Sequence, residues 1–129
     1  MIRSPMKRTY RNTGPSEETV TRLLERSGRL CESCDIAIGG PRGLYWQVHH
    51  RRPRAMGGTR WEGSNLASNL LILCTSCHSD IESRRVHAMA IGRLVSNASD
   101  PAVVAVLVAQ HWMYLGDDFG YHVNPPGAS

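Results

Sequence analysis

At 129 residues with a formal net charge of +4, the chain has the size of one compact domain and the balance of a protein that meets an anionic partner. No apolar run approaches the roughly 18 residues of a membrane span, which argues against a membrane partner. The amino terminus, "MIRSPMKRTYRNTGPSEE", carries no apolar signal core, so secretion is not expected and a cytoplasmic location is.

In chain order, residues 1–15 read as a basic, flexible arm. "GPSEETVTRLLERSG" predicts a helix with Ser16 as N-cap, Glu17 and Glu18 at the positive end of its dipole, and Gly28 as its stop. Val20, Leu23 and Leu24 share one face of it. A first Cys-x-x-Cys turn follows, then an extended "LYWQVHH" and an arginine- and glycine-rich loop, "RRPRAMGGTRWEGSN". "NLLILC" suits a buried strand leading into the second Cys-x-x-Cys, and "SCHSDIESRRVHAMAIG" suits a helix ending at Gly92. Downstream, "VVAVLV" and "WMYLGDDFGYHV" read as strands, the latter forming a hairpin, with residues 123–129 as a disordered tail. The main domain is expected over 16–122. Trp61 and Trp112 read as anchors of the core or loop, and His87, His111 and His122 receive no role.

The chain has four cysteines in two matched pairs, Cys31 with Cys34 and Cys74 with Cys77. "CTSCH" alone admits three readings: attachment of a c-type haem, a redox pair, or half of a zinc site. Covalent haem normally requires export, which the amino terminus does not suggest, and a redox motif needs no second pair. A zinc deaminase needs an upstream His-x-Glu, which the chain lacks. Two knuckles in a small chain fit one tetrahedral, four-thiolate structural zinc, and no haem is expected.

His49 and His50 stand side by side at a strand end, so their side chains point to opposite sides. His78 adjoins Cys77 at a helix start, where neighbouring side chains diverge by about 100°. Cys77 and His78 therefore cannot easily serve one ion, and two metal sites back to back explain the adjacency. Histidine suits a general base near neutral pH, and a cation beside a scissile phosphate stabilises the extra charge. Arg51, Arg52, Arg54 and Arg60, clustered beside the histidines, are expected to contact the phosphates of a nucleic-acid partner.

"VHHRRPRAMGG" followed by "NLLILCTSCH", flanked by two knuckles, resembles the HNH endonucleases of the His-Me finger (ββα-metal) type, over residues 31–85. The elements downstream look like those of small HNH proteins from actinobacteria and their phages. The resemblance implies an α+β fold: a ββα-metal core stapled by the four-cysteine zinc, with an N-terminal helix and a C-terminal β-hairpin. It implies metal-dependent hydrolysis of DNA, with His49 and His78 holding a catalytic divalent cation (Mg²⁺, Mn²⁺, Ni²⁺ or Zn²⁺) and His50 as general base. Asn69 takes the place of the middle asparagine, tying the loop and orienting the base, with Asn65 as the alternative. Where some members carry a further histidine ligand the chain has Glu82, a competent oxygen ligand for a hard cation. A phage setting implies the host cytoplasm and a role beside the terminase in genome packaging. A non-catalytic zinc-finger module that binds nucleic acid is the alternative, sharing the cysteines and the basic loop but having no use for the histidines.

Overall fold

The computed structural model describes residues 14–53 and 61–127. Leu70–Cys74 forms a strand that is buried on both faces. That is why the run is apolar without alternation. Leu71 and Leu73 enter one core with Ile81, Ala88, Leu94, Val106 and Leu115, while Leu70 and Ile72 enter a second with Val20, Leu23, Leu24 and Trp46. Burying side chains of this size contributes about 1.5–3 kcal/mol each, so this strand is the spine of both cores.

The second core is closed by helix α1, Glu17–Ser27, which presents Val20, Leu23 and Leu24 to it. The cap is as expected: the Ser16 hydroxyl accepts from the Thr19 amide at 3.1 Å, and Gly28 ends the helix at φ 66°. Pro15 is already buried, whereas residues 1–13 of the expected arm lie outside the described ones. The expected tail is described through Gly127.

Strand β1, Trp46–His50, pairs antiparallel with Leu70–Cys74, here β2, in a register that sets His49 opposite Leu71 and His50 opposite Leu70. Helix α2, Thr75–Ser83, follows directly, completing a ββα unit. The single helix expected through to Gly92 breaks at Arg84 (φ −133°, ψ 59°) and resumes as α3, Arg85–Ala90. Ala88 is the one buried side chain of this second piece, and Val86 is 85% exposed, so little packing holds it on the first axis.

The expected strand "VVAVLV" begins late. Asp100 accepts from the Ala102 amide at 3.0 Å and Pro101 opens a 3₁₀ turn over Pro101–Val103, leaving Val106–Val108 as β3. It pairs with β4, His111–Leu115, which pairs with β5, Tyr121–His122, so the expected hairpin is part of a three-stranded antiparallel sheet.

A buried ion pair ties α1 and β5 to the first knuckle. Arg26 grips Glu32 through two bonds of 2.9 Å, with both side chains 1% exposed. Glu32 also accepts from the Ile72 amide at 2.7 Å and the Tyr121 hydroxyl at 2.6 Å, joining α1, the knuckle, β2 and β5. With its remaining capacity Arg26 donates to the carbonyls of Ala67 and Leu70, so the pair is buried with its polar atoms satisfied. Among the described residues no helix is long and apolar enough to cross a membrane.

Candidate active site

The two knuckles meet at the edge of the first core. The ligand atoms of Cys31, Cys34, Cys74 and Cys77 all lie within 4.8 Å of one another, and no disulfide joins them. Cys34 and Cys74 sulfurs are 3.9 Å apart, close to the edge of about 3.8 Å expected for a tetrahedron with Zn–S bonds of about 2.3 Å. The Ser33 and Cys74 amides donate to the Cys31 sulfur at 3.4 and 3.3 Å, as knuckle amides do towards a thiolate. Burial pushes Cys77 up to about 12 in the absence of a cation. Four sulfurs gathered this closely fit a zinc ion, whose charge would replace their protons.

The histidines divide between the faces of β1. His49 shares the face of Leu71, towards α2, and its ring meets that of His78 edge-on with centroids 5.3 Å apart. His78, next to Cys77, thus turns to a different neighbour from the four sulfurs. His49 is 5% exposed, and its Nε2 lies 2.7 Å from the Arg93 carbonyl. A carbonyl only accepts, so Nε2 carries the proton and the lone pair is on Nδ1. Burial first, with the charges of His78, His50 and Arg51 adding to it, lowers the His49 pKa to about 4. The ring is therefore neutral, the state a metal ligand needs.

His50 shares the face of Leu70, and its Nε2 lies 2.8 Å from the Asn65 side-chain oxygen. This divides a role expected of one residue. Asn69, fully buried, ties the loop: its oxygen accepts from the Arg52 amide at 2.7 Å and its nitrogen donates to the Ser64 carbonyl at 2.9 Å. The amide in contact with the imidazole is that of Asn65, brought within reach by the 3₁₀ turn Glu62–Asn65.

Two further expectations change. Glu82 lies one turn beyond His78 on α2, but its side chain is 68% exposed and pairs with Arg85 at 3.0 Å. Among the described residues, the four cysteines form the only group of three or more potential ligands placed to hold an ion, and Glu82 is not drawn in with His49 and His78. Arg51, expected on phosphates, has no exposed surface. It donates to the carbonyls of Gly92, Ser68, Pro101 and Val104 at 2.7–3.0 Å, closing the downstream segment onto the end of β1. Arg52 is half-buried, its guanidinium stacked 4.0 Å over the Trp61 ring, which is the anchoring role expected of Trp61. Arg54 and Arg60 lie outside the described residues. Trp112 is 56% exposed on β4 and anchors no core.

The sequence held no signal for Arg51: strand alternation puts residue 51 on the face of Gln47 and His49, the polar side of "LYWQVHH". For Arg93 no sequence signal existed.

No curated protein and no solved structure gives a significant match to the chain. The family model for HNH endonucleases matches residues 31–84, from the first knuckle cysteine to the end of α2. The ββα unit and the gathered cysteines lie in that same span, and it is over residues 31–84 that the chain is similar to HNH endonucleases, a family of nucleases.

Proposed function

We propose that the protein is a metal-dependent endonuclease that hydrolyses DNA phosphodiester bonds. The observation that carries this is the edge contact of His49 with His78 on one face of β1 while His50 occupies the other. A binding module has no need of two imidazoles converging beside a third. His49, held neutral, and His78 would hold the catalytic cation, which supplies charge for the phosphate and the leaving oxygen. Two protein ligands leave most of the coordination shell to substrate and water. Glu82 is at most an outer participant.

His50 is the general base. Its contact with the Asn65 oxygen favours the tautomer with the proton on Nε2, which places the basic lone pair on Nδ1. Arg52 is the described loop arginine left to meet phosphate. A place beside the terminase in phage genome packaging is the biological setting we attach to this activity. It rests on the resemblance of the downstream elements, and gene neighbourhood tests it.

The activity is tested by nicking of plasmid DNA with Mg²⁺, Mn²⁺, Ni²⁺ or Zn²⁺, with and without chelator. His50→Ala is expected to lose about 10²- to 10⁴-fold in cleavage while keeping both metals. A wild-type protein that binds DNA but cuts it with none of these ions would be the zinc-finger binding module instead.

A further inference from the structure

We propose that Arg93, which lies beyond the matched segment, is a positioning residue that couples the zinc knuckles to the catalytic histidines. The inference rests on the reading of His49 as a metal ligand.

Arg93 faces two sites at once. Its guanidinium donates to the Ser33 hydroxyl at 2.6 Å and, through Nε and Nη2, to the Leu107 carbonyl at 2.9 and 2.7 Å. Ser33 stands between Cys31 and Cys34, and its own amide donates to the Cys31 sulfur. A divalent zinc against four thiolates leaves an excess of roughly two negative charges, and the guanidinium supplies a counter-charge beside them. In the other direction, the Arg93 carbonyl accepts a hydrogen bond from His49 Nε2 at 2.7 Å.

The backbone between these contacts has little freedom. The Arg93 amide donates to the Ala88 carbonyl at 2.9 Å, and the Val95 amide to the Arg51 carbonyl at 2.8 Å. Gly92, at φ 76°, passes so close to β3 that an added Cβ would lie 2.0 Å from the Ala105 carbonyl oxygen. A shift of the knuckle that moves Ser33 is therefore passed through the Arg93 side chain to its carbonyl, and so to the ring of His49. Outer partners that fix a ligand histidine are typically worth about 10- to 100-fold in metal affinity.

The test uses the full chain with zinc bound and compares Ser33→Ala, Arg93→Lys and Arg93→Ala. Zinc release to a chromogenic chelator, Mn²⁺ affinity by calorimetry, and the ring ¹⁵N shifts that report the His49 tautomer are measured on each. Arg93→Ala should release zinc faster and weaken Mn²⁺ binding about tenfold, with His49 passing to a mixture of tautomers. Arg93→Lys, which keeps the charge but not the fork, should slow zinc release again without restoring Mn²⁺ affinity. Ser33→Ala should show the same two losses, each smaller. If Arg93→Ala does not fold, the lysine and serine variants decide the matter. Folded variants with wild-type Mn²⁺ affinity and an unaltered His49 tautomer overturn the coupling. His49→Ala serves as the control: were its Mn²⁺ affinity unchanged, the ligand reading would fail, and the tautomer shift would still decide the role of Arg93.

Discussion

Replacing Arg51 with methionine removes a buried cation and leaves four carbonyl oxygens, those of Gly92, Ser68, Pro101 and Val104, without their donor. Each carbonyl left without a donor costs about 1–3 kcal/mol, while that of Pro101 keeps the Val104 amide at 3.2 Å. Against this stands the desolvation of the guanidinium, several kcal/mol, which its removal recovers. That penalty is visible in the Arg51 pKa, which burial lowers to about 10. Methionine also refills part of the volume. The balance is a loss of about 3–5 kcal/mol, a large share of the roughly 5–15 kcal/mol that holds a domain together. In urea, at about 1–3 kcal/mol per molar, the midpoint should fall by roughly 2 M in zinc-loaded protein followed by circular dichroism. Arg51→Lys keeps the charge but offers three donors to four acceptors, and should lose less, about 2 kcal/mol. Arg52→Ala should hardly move the midpoint, and should reduce the salt dependence of DNA binding by about one phosphate contact. A stable Arg51→Met protein with a flattened salt dependence would refute the clamp and return Arg51 to the DNA.

Three other outcomes follow from the site. His49 has an ordinary pKa of 6.5 unfolded and about 4 folded, so the native state binds fewer protons between those values. Its contribution is complete above pH 6.5 and is lost as the pH falls through 4, to a limit of about 3 kcal/mol; denaturation at several pH values should show this slope flattened in His49→Asn. Glu82→Gln should leave Mn²⁺ affinity within about twofold by calorimetry, since its carboxylate is engaged at the surface by Arg85. Cys77→Ser should lose tightly bound zinc by metal analysis and with it much of the cooperative unfolding transition, since a structural zinc contributes folding energy outright.

The parts of the fold legible in the sequence were those decided by local chemistry. Ser16 and Gly28 capped α1 because side-chain oxygens and positive φ have few substitutes there. The continuous apolar run at Leu70 marked a strand covered on both faces, and the cysteine spacing marked a metal site that the chain then assembled from segments before and after the hairpin loop. The division of His49 from His50 followed from strand alternation alone. What stayed hidden depended on which distant backbone arrives. Arg51 looks like any other loop arginine until four carbonyls from three segments converge on it. Asn65 and Asn69 are chemically identical, and only the 3₁₀ turns decide which amide meets the imidazole. Arg93 acts through its carbonyl, an atom every residue has.

The placing of adjacent histidines on opposite faces of β1 separates two properties that an enzyme designer usually finds entangled. The ring of His49 answers to the packing behind α2 and the knuckles, while that of His50 answers to the turns beside α1. Variants drawn from the first neighbourhood should change which ion the protein prefers, and those from the second should change how fast it cuts at saturating ion. A library confined to one side of the strand is thus a selection on one kinetic constant with the other held nearly still.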